Sequence, residues 1–188
     1  MPNWCNNNIE ITGPAKTINA IWTAATAEGV AEGGGLLNAM VPMPKQLKQT
    51  VKGSGDELQT EVHDGFTNWY DWSVERWGTK WDVDTEGLDY ADNGDGTASI
   101  GGYFDSAWSP PIQAMITYGE QNPDVSITLD YHEPGMCFVG RCTVTAGEAE
   151  DNHVDYSDET SETVRDEIGE EFDDMWGISE SMAEWEEE

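Results

Sequence analysis

The sequence predicts an α+β fold in which helices cover one face of an antiparallel sheet. Three observations predict it. Runs of alternating polarity, as at Ile9 and Ile11 or Val125, Ile127 and Leu129, recur between stripes of three- and four-residue spacing, as at Ile18, Ile21, Trp22 and Ala25. Glycine and proline clusters separate these runs at Gly13-Pro14, Gly33-Gly34-Gly35, Asn93-Gly94 and Asn122-Pro123. The resulting order is strand, helix, second helix, two strands, helix, two strands. That is a β-α-β-β-α-β core with a helical insertion.

Trp4 to Thr12 is the first strand, and Pro14 suits the first turn of a helix whose apolar stripe runs to about Glu28. Leu36 to Val41 is a short apolar segment entering Pro42-Met43-Pro44, where the prolines favour a stiff extended connection. Lys45 to Asp64 is polar and punctuated by glycine, and reads as a surface insertion with a loosely held helix. After the Trp-rich helix, Trp81 to Asp84 alternates like a strand. Leu88 to Tyr103 reads as a hairpin turning at Asp92-Asn93-Gly94-Asp95-Gly96, whose residues tolerate positive φ. Ser109 is placed to cap a helix with Ile112, Met115 and Ile116 on its core face. Val125 to Leu129 and Met136 to Val144 are the last two strands, turning at Glu133-Pro134-Gly135.

The densest stretch is Asn68 to Asp82, which holds Trp69, Trp72, Trp77 and Trp81 beside Arg76 and Lys80. By spacing, Trp69, Trp72 and Arg76 share one helical face, and Tyr70, Val74 and Trp77 share another. Gly78 is placed to end the helix. Tryptophan beside basic side chains is the chemistry of a single-stranded nucleic acid platform, and Trp69, Trp72, Arg76, Trp77, Gly78, Thr79, Lys80 and Trp81 are its candidate binding residues. The competing reading is a core helix whose rings are buried and whose arginine packs on one of them. The charge balance favours the core helix, because a platform lacks its electrostatic funnel here.

The 188 residues fit one domain with an appendage, and carry a formal net charge of -30. That charge disfavours direct contact with nucleic acid phosphates or anionic lipid, and points to basic protein surfaces as partners. Cys5, Cys137 and Cys142 form no Cys-x-x-Cys pair and read as reduced thiols. The N-terminus has no basic patch followed by an apolar run, and no segment is long enough to span a bilayer. A soluble protein of the cytoplasm is expected, with no membrane partner.

Composition changes after Gly147, so residues 1–147 are expected to form the domain, with an insertion at about 45–80, and residues 148–188 an acidic extension. From Glu148 onward lie 18 of the 38 acidic residues, with Arg165 the only arginine or lysine. Val164, Ile168, Phe172 and Met175 or Trp176 nevertheless recur at helical spacing from a start near Ser157, and Met182 and Trp185 extend a second stripe beyond Gly177. Asp166, Glu167, Glu170, Glu171, Asp173 and Asp174 are the candidate acidic interaction surface. Three readings compete: mimicry of nucleic acid charge, a solubilising or salt-adapted surface, and a helix that docks on the sheet.

No catalytic constellation emerges. A calcium loop within Asp89 to Gly102 fails in either glycine register, because Ala91 falls where an oxygen donor is needed. His132, Glu133, Cys137 and Cys142 match no common zinc spacing, and the two cysteines point to opposite faces of an extended strand. His63 and His153 carry no pairing that implies catalysis. No enzyme activity, metal or cofactor is expected.

Several segments together resemble the YubB family of plasmid and phage proteins. They are Met1-Pro2-Asn3-Trp4-Cys5-Asn6-Asn7 with Gly13, Val41-Pro42-Met43-Pro44, Asn68-Trp69-Tyr70-Asp71-Trp72, Trp77-Gly78-Thr79-Lys80-Trp81-Asp82, Ala107-Trp108-Ser109-Pro110-Pro111, and Glu133-Pro134-Gly135 with Phe138 and Gly140. The resemblance covers residues 1 to about 145. It implies a ferredoxin-like fold with insertions and a mobile-element origin, and it carries no catalytic residues. The expectation is a non-enzymatic accessory protein that binds another protein, a host nucleic-acid-handling one in its sharpest form. The alternative is a small-molecule or single-strand binder acting through the Trp-rich helix.

Overall fold

A computed structural model describes residues 3–27, 34–52 and 62–187. Six strands form one antiparallel sheet in the order β2-β3-β1-β4-β5-β6. They are β1 (Trp4–Pro14), β2 (Leu88–Asp92), β3 (Thr97–Ala107), β4 (Ser126–Glu133), β5 (Phe138–Thr145) and β6 (Glu148–Asp155). β1 lies between β3 and β4, with Ile11 opposite both Ile100 and Ile127. The order β2-β3-β1-β4 is the ferredoxin-like arrangement of a β-α-β-β-α-β chain. β5 and β6 widen it by two strands.

Four helices lie on one face: α1 (Ala15–Thr26), α2 (Leu36–Met40), α3 (Trp69–Trp77) and α4 (Ile112–Gln121). Side chains of a strand alternate between faces, so Ile9, Ile11, Ile100, Ile127, Leu129, Cys142 and Val144 meet these helices in the main core. Their burial supplies most of the apolar driving force, at about 25 cal/mol per Å² removed from water.

The short helices are fixed by their caps. Asn68 accepts from the Asp71 N–H at 2.9 Å to start α3, and Gly78 ends it at φ 85°. Trp81 to Asp84, expected as a strand, forms none. Its backbone is held instead by the Asp82 side chain, which accepts from the Val83 N–H at 2.9 Å and from Leu37 and Asn38 at the start of α2, at 2.8 and 3.2 Å. The polar insertion contains a 3-10 turn at Leu47–Gln49. Residues 53–61 of that insertion lie outside the described residues, as do Met1-Pro2, 28–33 and Glu188.

The acidic segment does not open as a helix. Ala146 and Gly147 both take positive φ, at 54° and 79°, and reverse the chain in two residues. That geometry matches the twist of a tight hairpin, so Glu148–Asp155 pairs with β5 from Thr145↔Glu148 to Phe138↔Asp155. The stripe expected from near Ser157 to Gly177 is two short helices, α5 (Val164–Ile168) and α6 (Glu170–Trp176), broken at Gly169 with φ 87°, and the second stripe beyond Gly177, at φ 63°, is α7 (Ile178–Glu186). They pack on the sheet face opposite α1–α4. There Val139 joins Tyr156, Val164, Ile168 and Ile178 in a second core, with Phe172, Trp176 and Met182 against it. β4 is consequently buried on both faces from Leu129 to Glu133.

Candidate functional site

The Trp-rich segment divides between core and surface. Trp72 and Trp77 are buried, with ring centroids 5.2 Å apart and nearly perpendicular. Each indole N–H is satisfied: Trp72 donates to Asp64 at 3.1 Å and Trp77 to the Val41 carbonyl at 2.9 Å. Arg76 does not stack on a tryptophan. It pairs with Asp64 at 3.0 Å and lies over the Phe66 ring. Thr79 is buried and donates to the Ala107 carbonyl, while the Gly78 carbonyl accepts from Ser109. Gly78 and Thr79 thus fasten α3 to the junction of β3 and α4.

The end of the motif faces outward, as do Val74 and Glu75 on α3. The Lys80 ammonium lies 4.4 Å from the Trp81 ring centre and 4.8 Å from that of Trp108. Trp69 is half-buried against the core and edges onto Tyr70. Trp108 and Tyr70 share Lys80 with Trp81, a grouping that the linear spacing did not reveal because Trp108 comes from the far end of β3.

The candidate acidic residues also divide. Asp166, Glu167, Glu170, Glu171 and Asp174 are exposed on α5 and α6. Asp173 is 3% exposed and is structural. It accepts from the Ser179 N–H at 2.7 Å, from the Ser179 hydroxyl at 2.8 Å and from Arg165 at 2.5 Å. Burial opposes its ionisation, but these donors hold its carboxyl below the ordinary range. Arg165 also reaches Glu170 and Asp174, and Arg141 on β5 bridges buried Asp130 at 2.5 Å to Glu171 at 2.7 Å. The two arginines therefore staple the helices to one another and to the sheet, leaving a layer of carboxylates outside.

The C-terminal helices bring a third region into being. A groove of about 970 Å³ runs between α7 and the end of the sheet where β1 begins and β4 turns into β5. Trp4, Tyr156, Trp176, Met182 and Trp185 give it apolar walls, and Glu133 and Glu186 line it as well. Trp185 is 81% exposed. Beside the groove the His132 Nε2 and the Tyr156 hydroxyl are 2.7 Å apart, and the Trp176 ring packs on the imidazole with centroids 5.8 Å apart. Burial pushes the His132 pKa down to about 4, so the ring is neutral near pH 7. Met182 and Trp185 were legible as an apolar stripe; Trp4 and Glu133 belong to distant segments and were not.

The imagined metal set is not assembled. Cys142 faces the main core, and burial raises its thiol to about 11, as it raises Cys5 to about 12. Among the described residues no three His, Cys, Asp or Glu side chains are grouped as a metal would require. Among the described residues no helix is long and apolar enough to cross a membrane.

The model of the ferredoxin-like domain in Api92-like protein matches residues 76–179, from the last turn of α3 to the start of α7. The chain belongs to the Api92-like family. A crystal structure of the protein api92 from Yersinia pseudotuberculosis is similar over 81% of this chain and 98% of its own, at 12% identity and a TM-score of 0.48. No curated protein matches the chain. The Api92-like match takes in β6, α5 and α6.

Proposed function

We propose that this Api92-like chain is a non-enzymatic binding protein whose acidic C-terminal layer recognises a basic protein surface. One observation carries the reading. Asp166, Glu167, Glu170, Glu171 and Asp174 stand outward on helices whose apolar sides are buried on the sheet, so their charges are held in a fixed pattern. A solvating tail needs no such anchoring. Its sharpest form is an accessory protein of the YubB type, carried by a phage or plasmid, that acts in the cytoplasm of the host cell. There the acidic layer occupies the nucleic acid groove of a host protein as a mimic of phosphate charge, in counter-defence. Direct contact with nucleic acid or membrane has no part in it.

The test is binding to purified DNA-binding proteins, measured across salt concentrations with duplex DNA as competitor. Binding that DNA displaces, and that is lost in the combined D166N/E167Q/E170Q/E171Q/D174N variant, supports the reading. Equal retention of a basic protein without a nucleic acid groove reduces the acidity to a solvating surface and ends the mimicry. The alternative, a small-molecule or single-strand binder, rests on Trp81, Trp108 and Lys80. Titration with oligonucleotides and nucleotides under tryptophan fluorescence tests it, and a flat response removes it.

A further inference from the structure

The groove between α7 and the sheet is built differently from the acidic layer. Its walls are apolar and aromatic, from Trp4 on one side to Met182 and Trp185 on the other. Beneath them lie two polar atoms without hydrogen-bond partners among the described residues. One is Glu133 Oε1, on a side chain that is fully buried; the other is the indole N–H of Trp176. The second oxygen of Glu133 accepts from the Met136 N–H, which fixes the carboxylate in place at the turn into β5. Among the described residues no lysine or arginine lines the groove, and Glu186 adds a second carboxylate at its rim. An unpaired buried acceptor and an unpaired buried donor are each unfavourable. Folded chains keep such groups chiefly where something else completes them.

The two orphans ask for opposite chemistry. Glu133 asks for a cationic donor, and the Trp176 indole asks for an acceptor such as a peptide carbonyl. Aromatic walls favour both an apolar side chain and a cation. We propose that this groove receives a basic segment of a partner protein. An arginine or lysine lies over Glu133, a carbonyl of the same segment faces Trp176, and an apolar neighbour packs between Trp4, Met182 and Trp185. The occupant is chosen by charge complementarity: a chain of net charge -30 selects basic partners, and this groove is its apolar, carboxylate-floored recess. The inference rests on the reading that the partner is a basic protein, and adds where its anchor residue goes.

The full chain is titrated with three synthetic peptides of equal length: alternating leucine and arginine, the same with glutamine for arginine, and oligoarginine. Tryptophan fluorescence and isothermal calorimetry report binding. The leucine–arginine peptide is expected to bind most tightly. Glu133→Gln, which keeps an acceptor for the Met136 N–H, should weaken it about tenfold or more, the loss typical of a charge-assisted contact. Met182→Lys, at the wall, should do the same without touching the buried floor. The α5 variant D166N/E167Q, which touches neither arginine staple, should leave this peptide's affinity nearly unchanged. Equal binding of the glutamine peptide overturns the cationic anchor, and equal binding of oligoarginine overturns the groove. Sensitivity to D166N/E167Q with indifference to Glu133→Gln and Met182→Lys also overturns it while leaving the acidic layer as the binding surface. Failure of the acidic-layer test with groove binding intact separates the two the other way.

Discussion

The His132 imidazole and the Tyr156 hydroxyl meet at 2.7 Å beneath the C-terminal helices and tie β4 to the segment that follows β6. The ring is 8% exposed, and burial sets its pKa at about 4 against an ordinary 6.5. A histidine whose folded pKa is depressed binds fewer protons folded than unfolded across that interval. Its contribution to stability is therefore present above pH 6.5 and is lost as pH falls towards 4, by up to about 3 kcal/mol. Denaturation of the wild type and His132→Gln at pH 7 and pH 4.5 checks this. The variant should lose less stability on acidification; equal losses would show that the ring titrates normally.

Asp82 acts in the opposite direction. Burial raises its carboxyl from 3.8 to about 6, although three backbone N–H groups donate to it. The folded state then binds more protons than the unfolded between those values, so its contribution falls as pH rises from about 4 to 6. The same side chain caps α2. Asp82→Ala removes the acceptor that Asp82 offers to the Leu37, Asn38 and Val83 N–H groups, and is expected to destabilise by about 1–3 kcal/mol at neutral pH, measured by urea unfolding.

Gly140 is a residue of the sequence signature with a plain steric reason. A Cβ there would lie 2.4 Å from the Tyr131 hydroxyl and 2.5 Å from the Asn152 carbonyl. Tyr131 donates from that hydroxyl to Asp151 at 2.8 Å, linking β4 to β6 across β5. Gly140→Ala should destabilise by about 1–3 kcal/mol and expose the amides of β6 to hydrogen exchange. A variant with unchanged exchange would show that the strand gives way at no cost.

Asp173 holds the last two helices together. Asp173→Ala removes the acceptor for the Ser179 N–H and hydroxyl and for Arg165, and should release α7 by about 1–3 kcal/mol of local stability. Limited proteolysis should then cleave near Gly177 while the strands remain resistant. Global unfolding instead would place the second core within the same cooperative unit as the first.

The order of the elements was legible because alternating and helical periods differ clearly at Ile9–Ile11, Ile18–Ala25 and Val125–Leu129. The end of α3 was legible in Gly78. β6 was not, because Glu148–Asp155 is acidic on both faces, and an edge strand needs no apolar alternation once its neighbour fixes the register. Trp81 to Asp84 misled for the converse reason: its alternation serves the Asp82 cap and the buried Val83, and no strand pairs with it. The core-helix reading already put the rings of Trp72 and Trp77 inside, but the burial of Asp173 was not legible, because it depends on how α5, α6 and α7 fold against one another. The groove was invisible for the same reason.

The two outer strands of the sheet share one property. β2 carries Asp89 and Asp92, and β6 carries Glu148, Glu150, Asp151 and Asp155. An unpaired strand edge is a template on which another chain can add, and charge is the usual guard against it. Here both guards are carboxylates, so a second copy of this chain meets like charge at either edge of the sheet.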